Sequence, residues 1–138
     1  MPKILHVLET CVYADDLAAM ESFYVDVLGL RRMSAEYPRH VFFHVSDASV
    51  LLIFNPKETS GPQDVPSHGT TGPGHVAFAI QPDEIDAWRQ HLTDHDVEIE
   101  REITWGNGSQ SIYFHDPAGN SAELVTQHLW RNRLPEDD

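Results

Sequence analysis

The residues of this chain best suited to chemistry lie in three short segments rich in strand-forming side chains. In the first segment, the alternation of a strand puts Glu9, Cys11 and Tyr13 on one face. In the second, the same alternation puts His75 on a face that it shares with small alanines. In the third, Glu123 lies between apolar neighbours, where an unpaired carboxylate would be costly unless a cation or a proton met it. A concave sheet lined by these side chains could hold an ion and a small ligand.

The elements that carry the first segment are predicted from the spacing of apolar residues. Residues 4–13 are rich in branched and aromatic side chains and predict a strand. Apolar residues at intervals of three and four then predict a helix over about 16–28, with Gly29 in place for a left-handed cap. Three further strands are predicted at 30–36, 40–46 and 49–54.

The same order of elements is predicted again later in the chain. Residues 75–80 predict a strand, and Pro82 with Asp83 opens a helix that carries an apolar stripe. Three strands are then predicted near 97–103, 110–115 and 121–126. Between the halves, 55–74 contains four of the nine prolines and four of the eight glycines, so we predict a linker without a regular element.

The predicted fold class is therefore α+β, built from two βαβββ modules with concave mixed sheets, because each module alone would leave one sheet face uncovered. A chain of 138 residues fits one domain. Its predicted parts are module one at 1–54, the linker at 55–74, module two at 75–130 and a frayed polar tail at 131–138.

Composition excludes several classes of partner. The chain has 22 acidic residues against nine Lys and Arg, and the net charge of −13 would repel nucleic acids and anionic membranes. The acidic balance would suit a cationic small ligand, although a solvated acidic surface is the commoner reason for it. Cys11 is the only cysteine, and we find neither a signal peptide nor a long apolar run, so we expect a cytoplasmic protein.

Three motifs carry a resemblance to a known superfamily. Residues 13–30 hold an Asp-Leu step into a helix that contains Phe-Tyr and ends in Leu-Gly, and residues 74–78 read Gly-His-Val-Ala-Phe. Residues 113–124 contain an Asp-Pro-Ala-Gly turn followed by a glutamate on the last predicted strand. In order and spacing these motifs resemble the vicinal oxygen chelate superfamily. That superfamily includes glyoxalase I, fosfomycin-resistance thiol transferases, extradiol dioxygenases, methylmalonyl-CoA epimerase and bleomycin-binding proteins, so the fold does not choose the reaction.

The resemblance implies one divalent metal ion held by Glu9, His75 and Glu123. Glu9 stands where the family usually has a histidine, whereas the other two match the pattern. Leu51 stands where glyoxalase I has a fourth ligand, which leaves three protein ligands and open positions for water or substrate. Two carboxylates and one imidazole suit Mn²⁺, Fe²⁺, Ni²⁺, Mg²⁺ or Zn²⁺ and do not choose among them.

The leading functional hypothesis is a metal-dependent isomerase or lyase acting on a small oxygenated substrate. Two neighbouring substrate oxygens would chelate the metal, and Glu9 or Glu123 would move the proton. One alternative is a dioxygenase or a thiol transferase on the same metal site. Another alternative is a non-catalytic dimer that binds a cationic drug, as bleomycin-binding proteins do.

Other residues are predicted to contact the substrate. Cys11 and Tyr13 share the face of Glu9, although packing is the commoner role for a lone cysteine. His68 lies in the linker, where it could close over the site as a lid. Ser111 and Tyr113 match positions near the phosphonate site of the family's thiol transferases, and we expect them to donate hydrogen bonds to substrate.

The resemblance further implies a homodimer with two sites, each shared between the chains. Glu9 would then come from one protomer, and His75 with Glu123 from its partner.

Overall fold

The computed structural model describes residues 1–130 and divides them between two compact units. The first unit comprises Met1–Gly74 together with Asp116–Asn120, and the second comprises His75–His115 together with the chain from Ser121 onward. Within residues 1–130, no helix is both long and apolar enough to cross a membrane. The predicted polar tail at 131–138 lies outside the described residues, and the boundaries of the predicted modules and linker stay predictions.

The first unit holds four strands and two short helices. In chain order its elements are β1 (Glu9–Tyr13), α1 (Leu17–Ser22), a π-helical extension of α1 (Phe23–Val27), β2 (Arg31–Glu36), β3 (His40–Ser46), β4 (Ser49–Phe54) and α2 (Pro56–Thr59). The strand order in the sheet is β1-β4-β3-β2. Strands β1 and β4 run parallel, whereas the other neighbours are antiparallel.

The second unit repeats this arrangement. Its elements are β5 (His75–Ile80), a 3₁₀ turn (Pro82–Glu84), α3 (Ile85–Asp94), β6 (Arg101–Thr104), β7 (Gln110–His115) and β8 (Ser121–Thr126). The strand order is β5-β8-β7-β6, again with one parallel pair, β5 and β8. These two sheets confirm the predicted α+β class with two modules.

Helix α1 is fixed at both ends by local hydrogen bonds. The Asp16 side chain accepts a bond from the backbone N–H of Ala19 at 3.0 Å, which satisfies one donor of the first turn. At the other end Gly29 has φ of 70°, the left-handed conformation that a helix cap requires. The predicted extent of 16–28 is therefore confirmed, although its second half is π-helical, with Leu28 N–H bonded to Phe23 O at 3.4 Å.

Two predicted strands begin later than expected. Strand β1 begins at Glu9 rather than at residue 4, and the side chains of Ile4 and Leu5 are almost fully exposed. Strand β6 begins at Arg101 rather than near 97, because the chain still closes the end of α3 there: Val97 N–H donates to Leu92 O at 2.9 Å.

The segment after β4 is more ordered than its proline and glycine content predicts. Asn55 caps α2 by accepting a hydrogen bond from Lys57 N–H at 3.1 Å. Thr59 is fully buried, and its backbone oxygen accepts bonds from Gln63 Nε2 at 3.1 Å and from His68 N–H at 2.9 Å. We call residues 55–68 the cover loop. The prediction that this stretch has no regular element is wrong for the single turn of α2.

Each sheet buries one face in a hydrophobic core. In the first unit α1 contacts β3 and β4, and the ring of Tyr24 in its π-helical extension lies 5.9 Å from the ring of Phe43 on β3. The buried apolar residues of that unit include Leu17, Met20, Tyr24, Val27, Val41, Phe43, Leu51 and Ile53. Those of the second unit include Val76, Ile80, Ile85, Leu92, Ile112, Phe114, Ala122 and Leu124.

The register of β1 with β4 decides which residues share the face of Glu9. Glu9 pairs with Val50 and Cys11 pairs with Leu52, whereas Leu51 pairs with Thr10 on the opposite face and is only 1% exposed. Leu51 is therefore a core residue, and its assignment to the fourth ligand position is wrong. The β4 residues on the face of Glu9 are apolar as well, so the expected number of ligands does not change.

A buried polar network closes the first unit. The Asp116 carboxylate accepts a hydrogen bond from Tyr24 OH at 2.8 Å and another from Asn120 Nδ2 at 2.9 Å. Asn120 Oδ1 in turn accepts from the backbone N–H of Gly74 at 2.7 Å. Burial is the main reason why the pKa of Tyr24 is raised, and the Asp116 carboxylate raises it further. The phenol therefore stays protonated and remains a donor to Asp116.

Candidate metal centre

His75 and Glu123 meet on the sheet face of the second unit that lies opposite its core. In the parallel pair of β5 and β8, His75 is opposite Ser121 and Ala77 is opposite Glu123, so all four lie on one face. The His75 Nε2 atom is 3.3 Å from Glu123 Oε1. The Glu123 side chain is buried, with the residue 6% exposed, whereas His75 is exposed.

The backbone decides which nitrogen of His75 faces the carboxylate as a possible ligand. His75 Nδ1 is 3.0 Å from the backbone oxygen of Ser121. Because a carbonyl oxygen only accepts hydrogen bonds, Nδ1 carries the hydrogen and the neutral ring has its lone pair on Nε2. That lone pair is directed at an anionic oxygen, which is unfavourable unless a proton or a metal ion lies between the two atoms.

Ser111 holds the other oxygen of Glu123. Its hydroxyl lies 2.6 Å from Glu123 Oε2, a short distance typical of a hydroxyl donating to a carboxylate. Trp105 Nε1 donates to the same Ser111 hydroxyl at 2.9 Å. Glu123 is therefore bound on one side by a buried serine and faces His75 on the other.

Tyr113 lies next to these groups. It pairs with Glu123 across the antiparallel strands β7 and β8, and its ring stacks with the His75 ring at 6.4 Å between centroids. Partial burial raises the pKa of the Tyr113 phenol, and the negative charge of Glu123 raises it further. At neutral pH the phenol is thus protonated and can act as a donor.

A cavity of about 610 Å³ opens over His75 and Glu123. This volume is within the range of small-molecule sites. The other residues that line it are mainly apolar or aromatic, together with Gly106 and Asn107 of the loop after β6. They are Ala77, Trp105, Gly106, Asn107, Tyr113, Val125, Leu129 and Trp130. Among the described residues, no Lys or Arg lines it.

The remaining predicted site residues lie in the first unit. Tyr13 OH is 2.7 Å from His68 Nδ1, so the cover loop contacts the end of β1. Cys11 is exposed next to Glu9, and partial burial together with the Glu9 carboxylate raises the pKa of its thiol. A raised pKa lowers the fraction of reactive thiolate at neutral pH, which argues against a nucleophilic role for Cys11.

The chain was compared with known proteins. The family model of the Glyoxalase/Bleomycin resistance protein/Dioxygenase superfamily matches residues 3–124. The chain belongs to this superfamily.

Individual members of the superfamily resemble the chain to different degrees. A metallothiol transferase FosB of Bacillus licheniformis is 28% identical over 125 residues, which cover 90% of this chain and 77% of the relative. Biphenyl-2,3-diol 1,2-dioxygenase 3 of Rhodococcus globerulus is 32% identical over 126 residues, which cover 89% of this chain and 62% of the relative. The crystal structure of lactoylglutathione lyase from Agrobacterium tumefaciens superposes with a TM-score of 0.87 and 39% identity, covering 91% of this chain and 96% of that one. These relatives are enzymes of one superfamily with different reactions.

Members of this superfamily are generally metal-dependent, and the geometry of His75 and Glu123 fits a metal ion. One imidazole nitrogen and one carboxylate oxygen suit a divalent ion of the first transition series. Both side chains are also oriented by a second partner, the Ser121 carbonyl for His75 and the Ser111 hydroxyl for Glu123, as metal ligands usually are. Within residues 1–130, no group of three or more His, Cys, Asp or Glu side chains could hold a metal, and the role of Glu9 stays a prediction.

The sequence motifs mark the polar centre of His75 and Glu123 but not the side chains that support it. Ser111 was expected to donate to substrate, whereas in the structure it donates to Glu123. The contact of Trp105 with Ser111 was not predicted. An aromatic residue at the base of a hairpin was its one signal, and which atom it would contact depends on the register of β7 with β8.

Proposed function

We propose that the chain is a metal-dependent enzyme of glyoxalase type, a lyase or isomerase that acts on a small oxygenated substrate. One observation carries the proposal: His75 Nε2 and Glu123 Oε1 face each other at 3.3 Å, and both residues line a cavity of small-molecule size. The neutral imidazole and the carboxylate would together provide two ligands for a divalent cation.

We further propose that Glu9 of a second copy of the chain supplies the third ligand, in a homodimer with two sites. Glu9 is exposed at the start of an edge strand, so it is accessible to another chain. With three protein ligands the ion would keep open positions for water and for two substrate oxygens.

The residues of the chain divide the chemical work in this proposal. A divalent ion held by His75 and Glu123 would supply Lewis-acid chemistry, which polarises a substrate oxygen and lowers the pKa of the adjacent proton. Glu123 has a partner on each oxygen, which supports a main role as a ligand and leaves Glu9 as the proposed proton carrier. Tyr113, protonated at neutral pH, donates a hydrogen bond to substrate, and the aromatic walls exclude water.

The residues that line the cavity help to distinguish the alternative functions. A thiol transferase acting on a phosphonate would need cationic partners for its substrate, and no Lys or Arg lines the cavity among the described residues. A dioxygenase on the same ligands accords with the aromatic walls and is the second candidate. A drug-binding protein without a metal would hold a proton rather than a cation between His75 and Glu123, and metal analysis distinguishes the two. The cytoplasmic location stays a prediction from the sequence.

Metal analysis of protein purified without a chelator tests the proposal. We expect about one divalent ion per chain, lost in Glu123→Ala and in His75→Ala and retained in the control Glu98→Ala, which changes an exposed glutamate outside the cavity. The metal-loaded protein should then form lactoylglutathione from glutathione and the parent 2-oxoaldehyde, whereas activity on biphenyl-2,3-diol would favour the second candidate. A protein that binds no divalent ion would contradict both enzyme candidates.

The shared site has its own test. A Glu9→Ala chain and a His75→Ala chain should each be inactive, and mixing them should restore activity at one site of each heterodimer. If mixing restores nothing while both chains still form dimers, the ligand set does not include Glu9 of a second copy.

A further inference from the structure

Trp105 contacts the candidate metal centre, and the proposed function gives it no specific role. The residue lies just after β6, 36% exposed, with its indole on the wall of the cavity. Its Nε1 atom is 2.9 Å from the Ser111 hydroxyl, and that hydroxyl is 2.6 Å from Glu123 Oε2. The three side chains therefore form a line of hydrogen bonds that ends at a proposed ligand.

The direction of this line follows from the number of hydrogens available. An indole nitrogen only donates, and a serine hydroxyl has one hydrogen to give. Since Ser111 accepts from Trp105, its own hydrogen is free for Glu123. Ser111 is almost completely buried, so water does not compete for that hydrogen.

The loop that carries Trp105 is itself held in place. Trp105 N–H donates to Ser109 O at 2.8 Å, and Gly108 N–H donates to Trp105 O at 3.0 Å. Asn107 Nδ2 also donates to Leu129 O at 3.0 Å. The backbone that carries the indole is thus held by hydrogen bonds of the protein itself.

We propose that Trp105 is a positioning residue: through Ser111 it fixes Glu123 Oε2 and so directs Oε1 toward the bound ion. This inference rests on the proposed function, because it takes Glu123 as a metal ligand. Removing a group that orients a metal ligand commonly lowers metal affinity about 10- to 100-fold. Trp105 is one residue further out, so its effect should be smaller and should depend on Ser111.

Calorimetric titration with Mn²⁺ tests this dependence. Ser111→Ala should weaken Mn²⁺ binding about 10-fold or more, and Trp105→Phe, which keeps the aromatic wall but lacks the N–H, about 3- to 10-fold. The double variant should bind Mn²⁺ no more weakly than Ser111→Ala alone, because both changes break the same line. Trp88→Phe is the matched control, since Trp88 lies on α3 and is not part of the cavity lining, and it should keep the wild-type affinity.

Fluorescence supplies a second measurement that a purely structural role would not change. In a Trp88→Phe/Trp130→Phe background Trp105 is the only tryptophan, and its emission should shift when Mn²⁺ binds. The shift should disappear when Ser111→Ala is added.

The outcomes separate the two proposals. Wild-type affinity in Trp105→Phe, or losses that simply multiply in the double variant, would overturn the role of Trp105 while leaving the metal site intact. Absence of Mn²⁺ binding in the wild-type protein would instead overturn the proposed function itself.

Discussion

The two sheets share one strand order, but the faces opposite their cores have become different surfaces. In the first unit that face carries Leu52 and Phe54 on β4, and the cover loop places His68 against the Phe54 ring at 4.6 Å. In the second unit the matching strand carries Glu123 and Val125, and the face opens to the cavity. One sheet face has been closed with aromatic side chains, and the other has kept a polar centre.

The contrast depends on one position in each sheet. Leu52 pairs with the middle residue of β1 and Glu123 pairs with a middle residue of β5, so the two occupy matching places. Both are almost fully buried, with Leu52 7% and Glu123 6% exposed. What separates them is the set of partners: Glu123 has Ser111 and His75, whereas Leu52 has apolar and aromatic neighbours in register.

Introducing a carboxylate at Leu52, as at the matching Glu123, should have the largest effect on the free energy of unfolding. Leu52→Glu places a carboxylate where no such partners exist, and we expect it to lower the free energy of unfolding by about 3–5 kcal/mol at pH 7. Burial would raise the folded-state pKa of the new carboxyl above its unfolded value of about 4.3. The penalty should therefore be full above the raised pKa and should fade as the pH drops below about 4.3.

Urea denaturation at pH 7 and pH 4 measures this difference. The control Leu52→Met keeps the apolar volume and should cost less than about 1.5 kcal/mol. A Leu52→Glu protein within 1 kcal/mol of wild type would mean that the first face can also hold a charge, and the contrast between the sheets would be lost.

Neutralising Glu123 tests the other side of the comparison. Glu123→Gln keeps an oxygen that can accept from Ser111 but loses the charge. We expect Mn²⁺ affinity to fall more than about 100-fold, roughly 2.7 kcal/mol, with little change in the unfolding free energy of the metal-free protein. Calorimetry and urea denaturation in chelator give the two numbers, with Glu98→Gln as the exposed control. A large loss of stability would assign Glu123 to the fold rather than to the metal.

The closure of the first face can be tested at Arg39. Its Nη1 donates to His40 Nδ1 at 2.7 Å and its Nη2 to Gln63 Oε1 at 3.0 Å, so Arg39 links β3 to the cover loop. Arg39→Met should remove about 1–2 kcal/mol of local stability. The amide of His68, which is bonded to Thr59 O, should then exchange about 5- to 30-fold faster.

Hydrogen exchange read by mass spectrometry measures that effect. The matched control is Arg31→Met, because Arg31 is exposed and has no ion pair among the described residues. Unchanged exchange in Arg39→Met would show that aromatic packing alone closes this face.

The smallest expected effect is a pH dependence of the closed face. Burial lowers the pKa of His40, and the Arg39 charge lowers it further, so the folded state prefers the neutral ring. A histidine whose pKa is depressed by folding destabilises the protein as the pH falls below its unfolded value of about 6.5. His40→Phe should flatten the stability profile between about pH 6.5 and 5. Identical profiles for the two proteins would show that the His40 charge state has no part in closing the face.

The fold was predictable where short-range sequence signals determine an element. Apolar spacing, Asp16 and Gly29 fixed the limits of the first helix, but nothing in that spacing distinguishes α from π turns. Residues 4–8 have high strand propensity without pairing as a strand in this chain, so propensity alone overextended β1.

The candidate site was predictable only in part. His75 and Glu123 could be found because a motif and an apolar context mark them. The assignment of Leu51 was wrong and the contact of Ser111 with Glu123 was missed, since both depend on strand register, and a shift of one residue moves a side chain to the other face of the sheet. The ordered structure of the cover loop was not predicted, because it is stabilised by contacts with residues distant in sequence, such as that of Arg39 with Gln63.

The Asp116 network also bears on the order of events during synthesis. Tyr24 and Asp116 are 92 positions apart, and the segment Asp116–Asn120 belongs with the first unit although the strands on either side of it belong to the second. A nascent chain that has emerged only as far as β6 already contains most of the first unit but lacks the carboxylate that receives the Tyr24 hydrogen bond. The first unit therefore cannot be completed on the ribosome ahead of the second, and both should mature together late in translation.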